Sequence, residues 1–123
     1  MAMKILHTGD LHIGNFPGPE KNGENARFLD ICKCLDALVE GAKEQQPGIA
    51  VIAGDIFHQA RVWSDRGLKE QQTAVKFLRE LSAICPVVVM RGTPNHDSEQ
   101  QFEMLKTAFE GDGEVKIITE PQV

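Results

Sequence analysis

Three short stretches of this 123-residue chain carry side chains able to ligate a cation or move a proton. They are Asp10-Leu11-His12, Gly54-Asp55-Ile56-Phe57-His58 and Asn95-His96-Asp97. A carboxylate beside an imidazole suits manganese, iron or zinc better than calcium or magnesium, because imidazole favours transition metals. Two residues apart on extended backbone, Asp10 and His12 would point to the same side. Asp55 has two oxygens and can bridge two ions, and Gly54 permits close approach of the backbone. Asn95 offers a neutral oxygen donor, His96 could act as general acid or steady a phosphoryl oxygen, and Asp97 could orient it. Each cluster also has a plain reading. Asp10 could cap a helix beside an incidental histidine, and Gly54-Asp55 could be a turn. Asn95, Asp97 or Ser98 could open the next helix. His58 reads as a residue near the ligands, a phosphate donor or a satisfied histidine.

The elements around these clusters decide between the readings. Apolar, largely β-branched runs at residues 3–7, 49–53 and 87–90 predict strands, each ending in a polar, glycine-containing turn. Runs of this kind suit strands covered on both faces, as in a parallel sheet. Between residues 27 and 43, Phe28, Ile31, Cys32, Leu35, Leu38, Val39 and Ala42 recur at steps of three and four, which predicts a helix. A second stripe over residues 65–84 contains Leu68, Gln71, Ala74, Val75, Leu78 and Leu81, widened by Phe77, and Pro86 terminates it. A shorter helix over 99–109, a turn at Gly111-Asp112-Gly113 and a strand over 115–119 complete the pattern. The order β-α-β-α-β-α-β implies an α/β fold, a mostly parallel sheet with flanking helices. Ligands of such sheets bind outside the carboxyl ends of the strands. The three clusters follow three strand ends, so folding brings them together. The one long irregular stretch, residues 14–25, directly follows the first cluster.

Composition narrows the classes further. Hydrophobic residues make up 41% and charged residues 25%, as in an ordinary globular domain. Thirteen Lys and Arg against eighteen Asp and Glu give a net charge of −5, which disfavours nucleic-acid binding by charge alone. A site that collects carboxylates for divalent cations is acidic for a different reason. No apolar run approaches the ~18–20 residues of a membrane span, and the polar turn at Thr8-Gly9-Asp10 is unlike a signal peptide. Three cysteines, Cys32, Cys34 and Cys85, cannot form a fully paired disulfide framework, so a reducing cytoplasm is expected. The Cys32-x-Cys34 spacing is wrong for zinc, and Trp63 is either a base-stacking residue or an ordinary half-buried tryptophan.

Taken in order, Thr8-Gly9-Asp10-Leu11-His12-Ile13-Gly14, Gly54-Asp55-Ile56-Phe57-His58 and Asn95-His96-Asp97 resemble the calcineurin-like metallophosphoesterases. Among them the chain is most similar to the SbcD-type DNA-repair nucleases. The resemblance runs from Lys4 to about Ile118 and implies the first half of a four-layer metallophosphoesterase fold. It implies that Asp10 and His12 hold one metal, that Asp55 bridges two, and that Asn95 binds the second. It also implies that His96 contacts the scissile phosphate, with His58 nearby. The implied cofactors are two divalent ions, manganese preferred, with magnesium, iron or zinc compatible. The implied reaction is phosphodiester hydrolysis of DNA, and the implied partner is an SbcC-like ATPase. Lys21, Arg27, Arg61 and Arg66 flank the loops and could contact phosphate.

The chain departs from the family pattern in two places. Thr93-Pro94 separates Gly92 from Asn95, where the family commonly places Gly and Asn side by side. The family also completes its site with a later histidine and a Gly-His-x-His motif, whereas the histidines here are His7, His12, His58 and His96. Residues 1–123 are therefore expected to be the N-terminal part of one metallophosphoesterase domain, with little activity alone. An exposed sheet edge or face is expected where the remainder belongs, inviting a homodimer. The competing functions are a phosphoesterase acting on nucleotides or phosphoproteins, and a non-catalytic binding module on the same fold.

Overall fold

A computed structural model describes residues 4–13, 20–21, 24–57, 65–92 and 99–118. The elements in chain order are β1 (Ile5–Thr8), β2 (Glu20–Lys21), β3 (Glu24–Asn25), α1 (Ala26–Gln45), β4 (Ile49–Ala53), α2 (Asp65–Ser82), β5 (Val87–Met90), α3 (Glu99–Ala108) and β6 (Val115–Ile118). Strands β1, β4, β5 and β6 pair in that order, all parallel, so the expected α/β architecture is the one found. The short strands β2 and β3 form an antiparallel pair inside the stretch expected to be irregular. The intervening sequence, Asn22-Gly23, is the dipeptide most favoured in two-residue hairpin loops.

Strand order also fixes where the helices lie. Three consecutive right-handed crossovers moving in one direction place all three helices on the same face of the sheet. Contacts between α1 and α2 and between α2 and α3 agree with that. The face beneath them is closed: Ala50, Ile52, Val87, Val89 and Val115 are all at most 7% exposed. Register puts Ile5, Ile49, Val51, Val88, Met90 and Ile118 on the opposite face. There Ile49, Val51, Val88 and Ile118 are half-buried, Met90 is exposed and Ile5 is 62% exposed. Coverage is therefore one-sided among the described residues, not two-sided as the apolar runs suggested. Among the described residues that face is most open at Ile5 and Met90.

The helices form where the periodicity places them. Phe28, Leu35, Val39 and Ala42 of α1 are buried, with Ile31, Cys32 and Leu38 packed against the same core. Cys32 leans on the core and Cys34 is exposed, which separates the two thiols as expected. Helix α1 ends at Gln45; the next residue, Gln46, donates its amide to the Ala42 carbonyl at 2.8 Å and turns left-handed (φ 49°), which stops the helix. Buried Ala74, Phe77, Leu78 and Leu81 line the inner side of α2, and Phe102 and Leu105 that of α3. Arg79 ties α2 to α3 by donating to the Ala108 carbonyl at 3.4 Å and stacking over the Phe109 ring. No described helix is long and apolar enough to cross a membrane.

Two buried groups give tests of this packing. The Nε2 of Gln71 in α2 is buried with no hydrogen-bond partner among the described residues, and an unpaired buried amide costs about 1–3 kcal/mol. Gln71→Met should therefore raise the urea midpoint. Burial, and then the negative charge of Glu114, push the Cys85 thiol above its ordinary value. It stays neutral in the fold at a pH where the unfolded thiol ionises. Its stabilising contribution is thus full below the ordinary thiol value and declines as pH rises through the elevated one. Iodoacetamide at pH 8 should modify exposed Cys34 and spare Cys85 until denaturant unfolds the chain.

Candidate metal centre

The loops leaving β1 and β4 continue side by side past the ends of their strands. The Asp10 amide donates to the Gly54 carbonyl at 3.0 Å, His12 to Asp55 at 3.1 Å, and Ile13 to Ile56 at 2.8 Å. Ile13 then bridges Phe57 in parallel register. Ile13, Ile56 and Phe57 are 0–1% exposed, so both loops are fastened to the core just beyond the polar residues. Between these anchors Asp10 is exposed, while His12 and Asp55 are half-buried.

One ligand atom from each of Asp10, His12 and Asp55 lies within 4.8 Å of the others. His12 Nε2 and Asp10 Oδ1 are 3.8 Å apart, beyond a direct hydrogen bond. Donors around a single ion at ~2.0–2.2 Å lie no more than about 4.4 Å from one another. The observed group is close to that spread. Two carboxylates and one imidazole form a donor set that fits a divalent transition ion.

The backbone that converges these groups is not the extended one expected from the Asp-x-His spacing. Asp10, His12 and Asp55 have φ values of 52°, 50° and 49°, all left-handed. Gln46 at the end of α1 is the other non-glycine residue with positive φ among those described. Left-handed residues other than glycine are uncommon, and they cluster where function demands a particular placement. Gly54, at φ 90°, takes a conformation that only glycine adopts readily and turns the chain into Asp55.

Of the other sequence-derived candidates, Arg27 is exposed in the first turn of α1. His58, Arg61, Asn95, His96 and Asp97 lie outside the described residues, as do the side chains of Lys21 on β2 and Arg66 on α2. Arg91 was not singled out by its type or spacing. It follows β5 directly, is half-buried, and donates its amide to the Ile118 carbonyl at 2.9 Å, which fixes a guanidinium-bearing residue at the same end of the sheet. The available signal was its place immediately after a predicted strand.

The left-handed backbone has a measurable consequence. Glycine avoids the ~1–2 kcal/mol penalty that a Cβ meets in this conformation. In metal-free buffer His12→Gly should therefore be more stable than His12→Ala by about 1 kcal/mol in urea denaturation. Neither variant should retain the ion affinity of the parent.

Two carboxylates and an imidazole, held by strained backbone at the carboxyl ends of adjacent parallel strands, are equipped for metal-assisted chemistry on an anionic substrate. The family model for calcineurin-like phosphoesterases matches residues 3–119. That match covers nearly the whole chain and both described clusters, and the chain belongs to the calcineurin-like phosphoesterase family.

Proposed function

We propose that the chain carries the first part of the dinuclear site of a DNA nuclease of the SbcD type, and that phosphodiester hydrolysis is its reaction. The observation that carries this reading is the convergence of Asp10, His12 and Asp55 from two strand ends to within 4.8 Å. Asp10, His12 and Asp55 would hold one divalent ion, and Asp55 with Asn95 would hold a second. The chemistry such ions supply, manganese by preference, is activation of water and neutralisation of charge on the phosphoryl oxygens. His96 and His58 are the proposed phosphate-contacting residues, and Asp97 the residue that would orient His96. Lys21, Arg27, Arg61 and Arg66 position the DNA backbone. Asp55 and Asn95 are the donors proposed for the second ion, which takes further ligands to fill its coordination. A cytoplasmic setting and an SbcC-like ATPase partner belong to the same proposal.

Calorimetric titration with Mn²⁺ tests the metal half of the proposal. One or two ions should bind, and Asp55→Asn should lower the affinity at least tenfold. Absence of uptake at millimolar Mn²⁺ would leave the fold as a scaffold or binding module. Substrate class is read on the longest available form of the protein. Mn²⁺-dependent cleavage of duplex DNA supports the nuclease, whereas cleavage of a small chromogenic phosphodiester alone favours a nucleotide or phosphoprotein phosphoesterase.

A further inference from the structure

We propose that Gly92 is a positioning residue for Asp55, an inference that rests on the metal-centre reading above. Gly92 lies two residues beyond the end of β5, the strand that pairs with β4. A Cβ built on it would collide with the backbone N and the Oδ1 of Asp55, and would come within 2.9 Å of the Asp55 Cγ. The space of the missing side chain is thus occupied by Asp55, both its amide and its carboxylate. The contact is reciprocal one residue earlier, because a Cβ on Gly54 would lie 2.8 Å from the Gly92 Cα. Two glycines therefore let the ends of β4 and β5 meet backbone to backbone, and Gly92 forms the floor on which Asp55 rests.

The clash cannot be relieved cheaply. A flexible side chain can swing aside, but the backbone amide of Asp55 cannot, since the carbonyl of the same residue accepts from His12. Any displacement of Asp55 is passed on to the Asp10–His12 loop. Gly92 thereby couples β5 to all three donors without contacting an ion, in the way outer partners of metal ligands set affinity. The demand is for the absence of a side chain, because Gly92 does not itself have a positive φ.

The test compares Gly92→Ala with Gly113→Ala, whose added methyl meets nothing within 4 Å. In metal-free protein, amide NMR spectra of Gly92→Ala should show shifted Asp55 and His12 resonances, and Gly113→Ala should leave both in place. Unmoved Asp55 and His12 resonances in Gly92→Ala would overturn the proposal whatever the metal data show. Mn²⁺ affinity should fall at least tenfold in Gly92→Ala and stay unchanged in Gly113→Ala. Parental affinity in Gly92→Ala would likewise overturn it. If the parent itself takes up no Mn²⁺, the metal-centre reading fails, and the amide shifts still decide whether Gly92 positions Asp55. Should Gly92→Ala not fold, the metal-free parent supplies the reading: a nuclear Overhauser effect between the Gly92 α protons and the Asp55 amide proton supports the floor role, and its absence overturns it.

Discussion

The structure turns on the hydrogen bonding that β1 and β4 maintain after their regular pairing ends. Three amides of the Asp10–Ile13 segment donate to three consecutive carbonyls from Gly54 to Ile56. Loops usually vary in position because their backbone groups bond to water; these two satisfy each other. Their geometry is inherited from the sheet, and the two strand-end clusters become one site. The left-handed residues Asp10, His12 and Asp55 cost roughly 1–2 kcal/mol each. Burial of Ile13, Ile56 and Phe57 returns about 1.5–3 kcal/mol apiece. The anchors are large enough to hold the strained residues in place without help from a ligand.

That arrangement concentrates negative charge in a protein already at −5. Asp10 and Asp55 bring two carboxylates to the same few ångströms, with the His12 imidazole beside them. Water screens exposed Asp10 well and half-buried Asp55 less, so their repulsion is only partly relieved by solvent. A divalent cation removes it directly. The same cation reconciles an acidic surface with an anionic phosphoester, which is why net charge alone is a poor guide to substrate here.

Much of this was legible in the sequence. The strands β4 and β5 coincide with their apolar runs, and the stripe from Phe28 to Ala42 lies on the core side of α1, because both follow from periodicity and burial. Asp10, His12 and Asp55 were identifiable because strand ends in a parallel sheet share one edge. Their backbone was not, since Asp-x-His spacing is equally compatible with extended and left-handed conformations. The hairpin of β2 and β3 was overlooked although Asn22-Gly23 announces it, because two-residue strands have no periodicity to detect. One-sided helix placement was implicit in the strand order and became visible only when crossover handedness was applied to it.

The role of Gly92 shows where sequence reasoning stops. A glycine after a strand reads as a turn residue, and nothing near it in the chain says that another segment needs its volume. The demand comes from Asp55, which becomes its neighbour only once β4 and β5 have paired from Ala50↔Val87 to Ala53↔Met90. A shift of one residue in that register would place a side-chain-bearing residue, Arg91 or Thr93, against the Asp55 loop. Pairing register and ligand placement are therefore one constraint. The sheet that buries Ile52 and Val89 beneath the helices also determines whether Asp55 can stand where His12 and Asp10 meet it.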